Sequence, residues 1–136
     1  MIDNSSSTNN ERKLILVAED DDISFALLEI LLSREGKKLI RANTGKEAVE
    51  IFRENKNISL ILMDLKMPIM DGFDATREIR KINKNVPIIA QTAYALSGDD
   101  KKALNAGCDD YITKPIKKEY LLQKVNWYLN HNLLKR

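Results

Sequence analysis

Along this chain, short continuous apolar runs alternate with longer stretches in which apolar residues recur every three or four positions. Residues 13–18 (KLILVA) form an apolar run with acids directly after it. A run of that length fits a central parallel strand buried on both faces. Residues 22–34 then place Ile23, Leu27, Ile30 and Leu31 at helical spacing, with Asp22 as a candidate cap and Gly36 where a helix should stop.

The alternation continues. Residues 38–42 predict a second strand, and Thr44 with Glu47 three positions on reads as a capping box. The helix that follows runs to about Asn55, with Ala48, Ile51 and Phe52 facing inward. Strands are expected over 60–63, 86–91 and 110–113, and helices over 74–83, 98–106 and 118–129. Ile79 and Ile82 share a face of the third helix, and Leu121, Leu122, Val125 and Leu129 are the inward candidates of the last. Pro87 falls near the first position of its strand, where it does little harm.

Five strands alternating with five helices predict an α/β fold, a doubly wound five-stranded parallel sheet with helices on both faces. Right-handed crossovers leave few strand orders. Such sheets bind ligands at the carboxyl ends of their strands, beside the point where strand order reverses.

The chemistry-bearing residues fall at that edge. Glu19, Asp20, Asp21 and Asp22 follow the first strand, Asp64 ends the third, Thr92 lies at the end of the fourth, and Lys114-Pro115 follows the fifth. Carboxylates held close together need a cation, and oxygen-only donors suit a hard ion such as magnesium. A lysine opposite can balance an added phosphoryl group, and a carboxylate can itself be the nucleophile. Asp64 closes an apolar strand and precedes a turn marked by Pro68 and Gly72, which makes it the candidate nucleophile. Glu19 and Asp20, together on the neighbouring loop, are better placed to hold the metal, while Asp21 and Asp22 read as cap or loop residues.

Composition narrows the alternatives. A chain of 136 residues with 43% apolar content fits one domain with a substantial core. A net charge of +2 gives no electrostatic case for nucleic acid. The single cysteine, Cys108, excludes an internal disulfide, suits a reducing compartment and reads as a small buried hydrophobe. With His131 far along the last helix, a zinc site has little support. No apolar run approaches the roughly 18 residues that span a membrane. The Ser/Asn-rich residues 1–12 read as a disordered leader or linker rather than a signal peptide, and the expected location is cytoplasmic.

The segments ILVAEDDDIS at 15–24, LILMDLKMPIMDGFDATREIR at 60–80, IIAQTAYAL at 88–96 and GCDDYITKPI at 107–116 resemble the receiver domain of bacterial response regulators and hybrid sensor kinases. They occur in that family's order and spacing across residues 13–131. The resemblance implies a flavodoxin-like strand order 2-1-3-4-5 and a domain over 13–134. It implies that Asp64 is the phosphoacceptor, that Asp20 binds magnesium (or manganese) directly with Glu19 assisting through a water, and that the Lys66 carbonyl is a further ligand. It implies that Thr92 and Lys114 hold the phosphoryl group, that Tyr111 is an aromatic switch moving with Thr92, and that the Lys114-Pro115 bond is cis.

The Glu-Asp pair looks more like receivers of hybrid kinases than the Asp-Asp of many single regulators. Lys66 and Tyr94 occupy the positions that tune phosphoryl lifetime in the family. The implied partners are a histidine kinase or histidine phosphotransfer domain, the fourth helix, fifth strand and fifth helix offer a face for a homodimer, and no nucleic-acid or membrane contact is expected. The rival readings are a stand-alone regulator, a degenerate receiver that binds partners without phosphorylation, and an aspartyl-phosphate phosphatase. The last is disfavoured by Lys66, where such an enzyme wants a second acid.

Overall fold

The structure, a computed structural model, describes residues 13–93 and 98–131. The expected leader at 1–12, Tyr94 and the end of the expected domain at 132–134 lie outside these residues.

The elements alternate as the apolar pattern requires: β1 Leu14–Ala18, α1 Asp22–Ser33, β2 Lys38–Ala42, α2 Gly45–Glu54, β3 Ile58–Asp64, α3 Gly72–Ile82, β4 Ile88–Thr92, α4 Asp99–Ala106, β5 Asp110–Thr113 and α5 Lys118–His131. All strand pairings are parallel, in the order β2-β1-β3-β4-β5. The order reverses between β1 and β3, so their carboxyl ends flank the crevice where a ligand is expected.

Two apolar cores cover the sheet. On one face, Leu16, Ile61, Met63, Ile88 and Ala90 meet Ala48, Val49 and Phe52 of α2, Ala75 and Ile79 of α3, and Ala103 of α4. On the other, Ile15, Val17, Leu60, Leu62 and Ile89 meet Leu28 and Leu32 of α1 and Leu121 and Val125 of α5. Successive strand residues alternate between the cores because the side-chain period of a strand is two. Leu122 and Leu129 pack at the margin of the second core as partly buried residues.

Several local expectations are corrected. The side chain of Asp21, not Asp22, caps α1 by accepting the Ser24 N–H at 2.8 Å, and Asp22 instead pairs with Arg41 at 2.9 Å. The inward face of α1 is Leu28 and Leu32, whereas Ile23 is 81% exposed and Leu27 and Ile30 also face solvent. That helix is apolar nearly all round, so spacing alone does not select the face. Ile82, at the end of α3, is exposed as well. Helix α3 starts two residues earlier than the periodicity predicts, because the Asp71 carboxylate accepts the Asp74 N–H at 2.9 Å. Thr44 caps α2 as expected, but Glu47 reaches back to the Asn43 N–H rather than to that of Thr44.

Candidate functional site

The site is assembled from strand ends. β1 carries Ile15 and Val17 toward the α1/α5 core, and Glu19 continues that parity to a position with no solvent exposure. Its backbone is clamped to β2: the Glu19 N–H donates to the Ala42 carbonyl at 3.0 Å, and Arg41 Nε donates to the Glu19 carbonyl at 2.9 Å. Asp20, next in the chain, is exposed. β3 delivers Asp64, buried at 6% exposure, with the same parity as Leu60 and Leu62.

The turn beyond Asp64 is packed tightly against it. A Cβ on Gly72 would overlap the Asp64 carbonyl oxygen, so only glycine lets α3 start this close. The Gly72 N–H donates to the Leu65 carbonyl at 3.1 Å, and Ile69, in the turn between these two residues, adopts a left-handed φ of 72°.

Lys114 reaches in from the end of β5. Its ammonium donates to Glu19 Oε1 and to Asp64 Oδ2, each at 3.1 Å. The remaining carboxylate oxygens take backbone donors: the Lys66 N–H meets Asp64 Oδ1 at 3.0 Å, and the Asp21 N–H meets Glu19 Oε2 at 3.1 Å. The Lys114 backbone N–H donates to the Thr92 carbonyl at 2.9 Å, and the Lys114-Pro115 peptide is cis.

These environments shift protonation. Burial, with the Asp64 charge beside it, pushes the Glu19 carboxyl up to about 7, although the Asp21 N–H and Lys114 pull the other way. For Lys114, burial opposes the charge, but Asp64 and Glu19 outweigh it and hold the ammonium above its ordinary range. One carboxylate oxygen from each of Glu19, Asp20 and Asp64 lies within 4.8 Å of the others. That all-oxygen donor set fits a hard divalent cation, which would relieve the repulsion that raises Glu19.

Glu19, Asp20, Asp64 and Lys114 are therefore brought together, as expected. Thr92 is buried at the end of β4, with its hydroxyl donating to Asp99 Oδ2 at 3.4 Å. Tyr111 is half-buried against the α2/α3/α4 core. Sequence reasoning missed three groups. Arg41 fixes the Glu19 backbone. Gln91 pairs in register with Asp64 and buries an amide whose oxygen and nitrogen have no hydrogen-bond partner among the described residues. Asp99 holds the Thr92 hydroxyl. Strand parity could have flagged Gln91, but only tertiary structure brings Asp99 to Thr92.

Away from this edge, Cys108 is buried, with Sγ 3.6 Å from Thr76 Oγ1, and burial pushes its thiol up to about 11. Trp127 is exposed and stacks on His131, while Tyr128 donates to Asp110 Oδ2 at 3.1 Å. Among the described residues, no helix is long and apolar enough to cross a membrane.

Comparison with known proteins agrees with this geometry. A region of a hybrid signal transduction histidine kinase from Dictyostelium discoideum is 43% identical over 120 residues, 82% of this chain, and the chain spans 7% of that protein's length. The receiver domain of a sensor histidine kinase from Pseudomonas aeruginosa, solved with a magnesium ion in its active-site cleft, is similar at TM-score 0.83 and 36% identity, covering 88% of this chain and 98% of that one. A response regulator receiver domain from Saccharomyces cerevisiae, solved with a histidine phosphotransfer signalling protein, is similar at TM-score 0.82 and 32% identity, covering 89% and 91%. The model of the response regulator receiver domain matches residues 15–126, and the chain belongs to that family.

Proposed function

We propose that Asp64 accepts a phosphoryl group from a phosphohistidine on a partner protein, as one step of a phosphorelay. The observation that carries this reading is the Asp64 carboxylate, held between the Lys66 N–H and the Lys114 ammonium beside two further acids. One Asp64 oxygen forms the new bond to phosphorus as the phosphorus–nitrogen bond breaks, and the imidazole leaves with the electron pair. Lys114 then pairs with the added negative charge. Asp64, Asp20 and the Lys66 carbonyl would hold a magnesium ion, with Glu19 assisting through a water, and the bound ion would supply charge neutralisation during transfer.

Thr92 would then donate to a phosphoryl oxygen, and Tyr111 would turn inward as Thr92 moves. The domain is read as residues 13–134, preceded by a linker at 1–12. Its partner is a histidine kinase or histidine phosphotransfer domain, and its setting a hybrid kinase in the cytoplasm. The Dictyostelium relative supports the hybrid setting, and the lone buried thiol is compatible with a reducing compartment.

The test is to incubate the chain with a small phosphodonor and magnesium and measure its intact mass. Wild type should gain one phosphoryl group and Asp64→Asn none. Equal gain by both would refute the role of Asp64.

A further inference from the structure

Helix α4 differs from the three helices before it. Asp21, Thr44 and Asp71 cap α1, α2 and α3 through side-chain hydrogen bonds, whereas α4 starts from Gly98, at φ 91°, with no side-chain cap bond. It is also short, eight residues. In its first turn sits Asp99, a carboxylate only 8% exposed, whose Oδ2 accepts the Thr92 hydroxyl at 3.4 Å. Burying a carboxylate is costly unless hydrogen bonds or opposite charge compensate it, and here the positive end of α4 and the Thr92 hydroxyl do so.

Thr92 also faces the site through its backbone, since its carbonyl accepts the Lys114 N–H. Its hydroxyl carries one hydrogen. It can donate that hydrogen to Asp99 or to a phosphoryl oxygen on Asp64, not to both.

We propose that Asp99 is a positioning residue that holds Thr92 in the resting state and transmits its departure to α4. The proposal rests on the reading of Asp64 as phosphoacceptor. When Thr92 turns to the phosphoryl group, Asp99 loses its donor while still buried. The first turn of α4 must then shift until water or another donor reaches the carboxylate. Asp99 therefore opposes phosphorylation, and removing it favours the phosphorylated state.

The experiment measures the phosphorylated fraction by intact mass, at a subsaturating small phosphodonor with magnesium, for wild type, Asp64→Asn, Asp99→Ala, Asp99→Asn, Asp100→Ala, Thr92→Ala and the Thr92→Ala/Asp99→Ala double variant. Asp99→Ala should raise the steady-state ratio of phosphorylated to free protein, set by transfer from the donor against hydrolysis to inorganic phosphate, about fivefold, at the low end of ordinary coupling because the hydrogen bond is long. Asp99→Asn keeps an oxygen acceptor and should fall between, which keeps the test decisive if the alanine variant does not fold. Asp100→Ala, which removes the neighbouring acid of the same helix turn, should leave the ratio at the wild-type value.

In the Thr92→Ala background the effect of Asp99→Ala should vanish, because it acts through the lost hydroxyl. An unchanged or lower ratio in Asp99→Ala, or the same gain with and without Thr92, would overturn the proposal. A purely structural role predicts a loss of phosphorylation, not a gain. Failure of the underlying reading shows separately, as no phosphate on wild type or as much on Asp64→Asn, and that result would overturn both.

Discussion

Replacing Glu19 with glutamine should stabilise the protein above neutral pH and destabilise it slightly in acid. Glu19 is fully buried, and its carboxyl is pushed from 4.5 to about 7 by burial and by Asp64. The folded state therefore binds this proton more tightly than the unfolded chain does. The stability tied to Glu19 is fully present below pH 4.5 and is lost as pH rises through 7. The displacement corresponds to a loss on the order of 3 kcal/mol.

Glutamine has the same shape and no charge to bury. It still offers one oxygen, but Glu19 accepts two donors, the Lys114 ammonium and the Asp21 N–H. The amide nitrogen must oppose one of them, at a cost of about 1 kcal/mol. The variant should thus be about 1 kcal/mol less stable than wild type near pH 4.5 and about 2 kcal/mol more stable at pH 8. Urea unfolding of both proteins from pH 4.5 to 8.5, with a chelator present, reads this difference while titrations common to both cancel. A difference that stays flat across that range would refute the reasoning. A carboxylate that lowers stability in the metal-free protein is retained where its charge serves the site.

Two further substitutions probe what holds the site edge in place. Arg80 donates to the carbonyls of Gly107, Asn83 and Val86 and to Asp109 Oδ2, at 2.7 to 3.2 Å, tying α3 to the start of β5. Arg80→Met should cost about 3 kcal/mol in urea unfolding, since it leaves partly buried acceptors and a carboxylate without these donors, and a loss below about 1 kcal/mol would contradict that network's role. Ile69 is a β-branched residue at φ 72° and is largely exposed, so Ile69→Asn should stabilise the protein by about 1 kcal/mol, read as a higher thermal midpoint.

The strands were legible in the sequence because ILVA at 15–18 and LILM at 60–63 are buried on both sheet faces, which leaves a continuous apolar signature. The gathering of Glu19, Asp20, Asp64 and Lys114 followed from strand ends sharing one edge. The face of α1 was not legible, because Ile23, Leu27 and Ile30 compete with Leu28 and Leu32 for the core and the sheet decides between them. Parity with Ile15 and Val17 assigns Glu19 to the α1/α5 face, but Asp20 continues the equally buried row of Leu16 and Ala18, so which acid is buried was not legible. The links from Asp99 to Thr92 and from Arg80 to Asp109 join different elements through single side chains. Neither follows a period that a linear reading could detect.

The phosphoacceptor role of Asp64 is tested most directly by locating the phosphoryl group. Borohydride reduces an aspartyl phosphate to homoserine, so reduction after treatment with a phosphodonor and magnesium, followed by peptide sequencing in the mass spectrometer, marks the modified position. Homoserine should appear at position 64 and nowhere else. Homoserine at position 20, or phosphorylated protein with position 64 unmarked, would contradict it.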